Sequence, residues 1–227
     1  MFSPHEFLDI SQCAHPELFK DAVHPWDPLK RISDYLQTEL KPGIFGSRLG
    51  ISFISEAVLI GKGTVIEPGA TIKGPAWIGE ECQIRSGCYI RENVIIGDGV
   101  VLGNSCEFKN CVVFNGAEIP HFSYVGDSIL GYRAHLGAGV ILSNFRLDRK
   151  EISVRYEGTV IATGLRKFGA IIGDRVEIGC NSVISPGSLI GRNSMIYPLT
   201  HFGGVLDADT ILQNRQNLRR IPREHHK

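Results

Sequence analysis

The stretch LIGKGTVIEPGATIKGPAWIGEECQIRSGCYIRENV, residues 59–94, divides into consecutive sixes. The second residue of each six is Ile, the third is often Gly, and the sixth is small or β-branched. The pattern continues through IIGDGV, VLGNSC, EFKNCV and VFNGAE. It resumes in ILGYRA and HLGAGV, and returns from residue 171 as IIGDRV, EIGCNS, VISPGS, LIGRNS and MIYPLT. A helix needs apolar residues three and four apart, so a period of six is not helical. Three sixes make one triangular coil of three short parallel strands, with the second-position side chain turned inward. Stacked coils hydrogen-bond at about 4.8 Å, the ordinary strand separation. Glycine permits the left-handed backbone angles of the corners. Each coil buries its apolar ladder only against its neighbours, so the array must be long and covered at its ends. The expected fold class is all-β: a left-handed parallel β-helix of hexapeptide repeats.

The repeats do not span the whole chain. DPLKRISDYLQTEL, Asp27 to Leu40, reads as an amphipathic helix, with Asp27 as N-cap, Pro28 in the first turn and Leu29, Ile32, Leu36 and Leu40 on one face. Residues 1–50 are therefore expected to form a helical cap over the open end of the coil, hiding its unpaired strand edge. Residues 51–206 form the β-helix. Within it, 145–169 break the repeat. EISVRY and TVIATG flank Glu157-Gly158, which predicts a projecting hairpin. That insertion carries six basic residues against three acidic ones, a net of +3. Residues 207–227 read as a basic C-terminal arm.

Formal net charge is zero and charged residues make up 21% of the chain. That argues against a general nucleic-acid or membrane-surface binder. The N-terminus MFSPHEFLDI lacks the basic start and apolar core of a signal peptide, and no apolar run reaches spanning length, so a cytoplasmic protein is expected. Six cysteines include no CxxC pair. Cys82, Cys88 and Cys106 fall at the small sixth position, which favours buried free thiols over zinc or disulfides.

The departures from the repeat are where chemistry is sought. Arg91 and Lys109 stand at third positions, eighteen residues and so one coil apart. Stacked like charges repel unless an anion lies between them. A phosphate suits that place through charge-assisted hydrogen bonds, the alternative being two solvated surface cations. PHFSYVGDSILG, residues 120–131, interrupts the sixes with His121, Tyr124 and Asp127. His121 is a candidate general base, or else an interface histidine. The internal histidines His121, His135 and His201 include no closely spaced ligand pair, so no metal is expected. Gly137-Ala138-Gly139 could let a cofactor approach the backbone. No phosphate-loop or dinucleotide fingerprint is present.

HFSYVGDSILG, followed by HLGAG and SNF, resembles the acetyltransferase half of the bifunctional N-acetylglucosamine-1-phosphate uridyltransferases. SNFRLDRKEISV and RKFGAIIGD are similar to the archaeal-type sugar-1-phosphate nucleotidylyltransferase/acetyltransferases. The resemblance implies transfer of acetyl from acetyl-CoA to the 2-amino group of glucosamine 1-phosphate or galactosamine 1-phosphate. It implies His121 as general base. Arg91, Lys109, Tyr124, Asn144 and Lys167 would bind the sugar phosphate. Ala138, Cys180, Pro198 and Arg220 would contact acetyl-CoA. A homotrimer with sites between subunits is implied too, and no metal for acetyl transfer. His135 stands where the bacterial members carry an asparagine that touches the sugar, and Cys180 replaces a serine near the thioester. The upstream nucleotidyltransferase signature is not in this sequence, so an acetyltransferase half standing alone is expected. Two other readings stay open: an acyltransferase on a nucleotide-linked amino sugar, and a non-catalytic sugar-nucleotide-binding β-helix that partners a nucleotidyltransferase.

Overall fold

The computed structural model describes residues 2–215 and 219–222. Three parallel sheets of nine, nine and eight strands run along it, and the chain visits them in rotation. The molecule is a left-handed β-helix of about nine turns. Val58 pairs with Ala76, and Ala76 with Val94, so one coil takes 18 residues there. The coil shortens to 17 between Val94 and Cys111, and again between Val112 and Ile129. From Ile129 to Ile171 the interval is 42 residues, because the hairpin is spliced in.

The inward ladder follows the predicted second position except in VFNGAE, where the 17-residue coil turns Val113 inward and sends the expected Phe114 out into the covering cluster. Ile60, Ile78, Ile96, Val113, Leu130, Ile172 and Ile190 stack one above another with almost no exposure. Full burial of such side chains stabilises by about 1.5–3 kcal/mol each. Cys82, Cys88 and Cys106 are buried free thiols, as is Cys111. Burial pushes the Cys82 thiol up to about 11, which leaves it inert as a nucleophile.

The ends differ from expectation. Gly43–Ile44 already pairs with Leu59 and Ile60, so the parallel strands begin before residue 51. Ile211–Leu212 pairs with Met195 and Ile196, so they continue past 206. The helix expected over 27–40 is split into a 3-10 turn, Asp27–Lys30, and an α-helix, Ile32–Glu39. The Asp27 carboxylate turns backward and accepts the N–H groups of Val23 and His24, so it does not cap the helix that follows.

The N-terminal segment does not close the open end of the coil. Phe7, Leu8, Leu18, Phe19, Trp26, Leu29, Ile32 and Leu36 lie along the outer side of the first sheet, against Ile95, Val112, Ile129, Ile171 and Leu189. The reason is an outward apolar stripe with no other cover. Asp174 pins this layer by accepting the N–H groups of Asp9 and Tyr132 at 2.6 and 2.8 Å. The first coil stays bare, with Phe45 68% and Ile51 92% exposed.

The hairpin forms as predicted, Ile152–Tyr156 against Thr159–Leu165, around Glu157-Gly158. It does not simply project. Ile152 and Val154 are buried in the same cluster as the N-terminal layer, which gives the hairpin a fixed seat. No helix of the described residues is long and apolar enough to cross a membrane.

Candidate functional site

One corner of the solenoid gathers four of the expected residues into a column. The N–H of Phe122 donates to the Asn104 carbonyl at 2.9 Å, and Gly139 donates to His121 at 3.0 Å. Asn181 then donates to Ala138 at 2.8 Å, and Leu199 to Cys180 at 2.9 Å. Asn104, His121, Ala138, Cys180 and Pro198 thus climb the corner one rung at a time, spaced by roughly 4.8 Å per coil. Each column residue is followed by one with left-handed φ: Ser105, Phe122, Gly139, Asn181 and Leu199. That backbone is unusual for a residue as bulky as Phe122, and such outliers concentrate at functional sites. Ser123 braces the turn, its Oγ donating to the carbonyls of His121 at 3.0 Å and Gly137 at 3.3 Å.

A groove of about 470 Å³ runs beside the upper column, between His135, Gly137, Cys180, Met195, Tyr197 and Pro198. A Cβ on Gly137 would come within 2.8 Å of the Cys180 nitrogen and 3.1 Å of its sulfur. Only glycine leaves that approach open. Among the described residues, neither the Ala138 nor the Cys180 N–H donates to a protein acceptor. Two unpaired donors on one column suit a developing oxyanion. His135 is held by Glu177, whose Oε2 lies 2.8 Å from its Nδ1.

Around the corner from His121, a second cluster converges on Asp127. Its carboxylate meets Lys109 Nζ at 3.0 and 3.1 Å and accepts from Asn110 Nδ2 at 2.9 Å. Asn144 Nδ2 donates to it as well, and to the Tyr124 hydroxyl at 3.1 Å. Burial raises the Tyr124 pKa, and the negative charge of Asp127 adds to it, so the hydroxyl stays protonated. Gly126 makes room: a Cβ there would sit 2.4 Å from the Tyr124 hydroxyl. The returning chain is tied in by Phe168 N–H to the Asn144 carbonyl at 3.0 Å and Gly169 N–H to the Asp127 carbonyl at 2.8 Å. Those bonds set exposed Lys167 beside the cluster.

The scan against family models matches the GMPPB C-terminal domain over residues 72–164. Among curated proteins, the chain is 42% identical over 178 residues to a bifunctional protein GlmU of Methanococcus maripaludis, covering 78% of this chain and 43% of that one. It is 36% identical over 201 residues to the GlmU of Methanococcus aeolicus, covering 88% and 48%. The chain is homologous over most of its length to a part of the GlmU-type proteins. A bifunctional sugar-1-phosphate nucleotidylyltransferase/acetyltransferase of Sulfurisphaera tokodaii is 44% identical over 105 residues, 46% of this chain and 25% of that protein. The chain therefore spans between a quarter and about half the length of these GlmU-type relatives.

In this chain the expected residues fall into two groups. His121, Ala138, Cys180 and Pro198 share the column, whereas Lys109, Tyr124 and Asn144 share the cluster, and Lys167 lies next to it in the chain without a hydrogen bond or ion pair to it among the described residues. Arg91 sits one coil below Lys109, as spacing predicted, but the two charges are not left facing an anion. Arg91 pairs with Glu107 at 2.9 Å and Lys109 with Asp127, so each carries its own carboxylate. Arg220 is exposed, and no hydrogen bond or ion pair ties it to the column among the described residues. Asp127 is the residue that sequence reasoning left without a role. Gly-Asp also occurs at 97–98 and 173–174, within ordinary repeats, which disguised it as scaffold.

Proposed function

We propose that the protein is an N-acetyltransferase that moves acetyl from acetyl-CoA to the 2-amino group of glucosamine 1-phosphate or galactosamine 1-phosphate. The observation that carries this reading is the column: an exposed imidazole, with unpaired N–H groups one and two rungs above it, beside an apolar groove. His121 takes a proton from the sugar ammonium. The freed amine adds to the thioester carbon, an N–C bond forms and the C–S bond breaks. The sulfur leaves as the free thiol after taking one of the two protons left on the nitrogen, and the other stays on the amide. The Ala138 and Cys180 N–H groups stabilise the negative carbonyl oxygen between those events. The groove takes the acyl-carrying arm of acetyl-CoA. Cys180 lines that groove but needs no acyl intermediate, since direct transfer requires only proximity.

The Asp127 cluster holds the sugar. Tyr124 and Asn144 offer hydrogen bonds to hydroxyls, Lys167 offers charge to the phosphate, and Lys109 does so on exchanging Asp127 for it. Column and cluster lie on two sides of one corner, so a neighbouring subunit would close the site. A homotrimer is the assembly proposed.

One observation favours a second reading, a nucleotide-linked amino sugar as acceptor. Arg91 and Lys109 are each matched by a carboxylate, while Arg149, Lys150, Arg155, Arg166 and Lys167 make no ion pair among the described residues. A larger anion would use that surplus. The test is thiol release from acetyl-CoA with glucosamine 1-phosphate, galactosamine 1-phosphate and a nucleotide-linked amino sugar. Turnover with either sugar phosphate supports the first reading. Turnover with the nucleotide sugar alone moves the acceptor class. Silence with all three from folded protein overturns the enzyme reading.

A further inference from the structure

A second cavity, of about 720 Å³, lies on the far side of the molecule's first coils, where the N-terminal layer stops covering the outer apolar stripe. Its walls are Leu59, Trp77 and Phe45. Its floor is His15, a residue only 4% exposed whose ring stands edge-on to Trp77 with centroids 4.4 Å apart. His15 Nδ1 is engaged by the Tyr35 hydroxyl at 2.9 Å. Its Nε2 is buried and has no hydrogen-bond partner among the described residues. Burial lowers the pKa of His15, which favours a neutral ring, although the carboxylates of Glu17 and Asp98 pull the other way. A buried polar nitrogen without a partner is costly, and a native fold tolerates one mainly where a water or ligand completes it.

We propose that this cavity is a binding site for a nucleoside, separate from the His121 column. A cavity of this size with mostly apolar walls and a few polar groups is of the kind that takes small molecules. Trp77 and Phe45 supply flat apolar surface for a planar heterocycle. The edge of a nucleobase carries both donors and acceptors, so it matches the His15 imidazole in either tautomer. Lys62, Glu80 and Asp98 line the same cavity and leave it one negative charge. Asp98 Oδ1 is occupied by the Glu80 N–H at 2.7 Å. The Glu80 carboxylate has no ion-pair partner among the described residues, and it suits a ribose diol. The charge balance selects an uncharged nucleoside over a nucleotide. A ligand there touches both the N-terminal layer and the solenoid, so it holds the two together.

The molecule carries its own probe. It has two tryptophans, and Trp26 is 1% exposed, which leaves Trp77 to report on the cavity. Uridine, adenosine, uridine monophosphate and ribose are titrated into the full chain, without acetyl-CoA or amino sugar, and emission is followed. At least one nucleoside should shift the emission saturably and raise Tm. Ribose should do nothing. The monophosphate should bind about tenfold more weakly at low salt, the gap narrowing as salt rises. His15→Leu should weaken nucleoside binding about tenfold, while the ligand-free Tm changes little, because the gain from removing the unpaired Nε2 offsets the loss of the bond to the half-buried Tyr35 hydroxyl. Phe45→Ala, at an exposed position, should weaken binding too. No saturable change with either nucleoside overturns the proposal, as expected if the cavity holds only water or is covered by a second copy. Binding that is unchanged in both variants also overturns it, since the nucleoside then sits elsewhere. Acetyl transfer is not read in this experiment, so its failure leaves the His121 assignment untouched.

Discussion

Two columns climb the same solenoid on the same kind of backbone hydrogen bond. The inward one runs Ile60, Ile78, Ile96, Val113, Leu130, Ile172, Ile190 and varies only among aliphatic residues. The corner one runs Asn104, His121, Ala138, Cys180, Pro198, with a different residue type at each of these rungs. A side chain on the first column meets only its neighbours above and below, so volume and apolarity are all that matter. A side chain on the second meets solvent or a ligand, and each rung is free to differ. In a solenoid, uniformity marks scaffold and variation within one register marks the site.

Substitutions can break that contrast. Asp127→Ala should have the largest effect on stability, about 3–5 kcal/mol, because it strands Lys109 in a mostly buried setting. It should also weaken amino-sugar binding. Urea unfolding and the KM for the sugar check the two halves. Ile96→Ala, on the inward column, should cost about 2–5 kcal/mol through its cavity while leaving kcat per folded molecule unchanged. A fall in kcat matching the stability loss would blur the distinction between the columns.

Gly137→Ala should act on both, destabilising by about 1–3 kcal/mol and raising the KM for acetyl-CoA, since the new methyl meets the Cys180 backbone and sulfur. Arg91→Ala should cost under about 1 kcal/mol, because its pair with Glu107 is a third exposed on both sides. A change in sugar KM would show whether Arg91 leaves Glu107 when a phosphate arrives. Cys180→Ser should be the mildest, with kcat within about threefold if acetyl passes directly to the amine. Loss of transfer there, with a trapped acetyl-cysteine in the parent protein, would mean a two-step mechanism.

The solenoid was legible because one side-chain position in six must point inward, and the chain repeats that demand many times. The covering layer was legible too, from a signal that was not used. The first residue of every third six is apolar: Leu59, Trp77, Ile95, Ile129, Ile171 and Leu189. The equivalent residues on the other two faces include Thr71, Gln83, Tyr89, Glu107, His135 and Glu177. One face therefore needed a cover along its length, and that is where the N-terminal segment lies. The column was partly legible, since the resemblance named its residues, but sequence numbers do not show that 121, 138, 180 and 198 share a register across a 42-residue interval. The ion pairs were not legible. Glu107 and Asp127 reach Arg91 and Lys109 from the neighbouring coil, and nothing in a hexapeptide count says which way a corner side chain turns.

The most direct test of the corner column is His121→Ala, measured by thiol release and by urea unfolding on the same preparation. His121 is exposed, so its removal should change stability by less than about 0.5 kcal/mol. Turnover should fall by about 10²–10⁴-fold, the usual contribution of a general base. Full turnover in a stably folded variant would contradict the account, because the rung assigned as general base would then be no different from the scaffold beneath it.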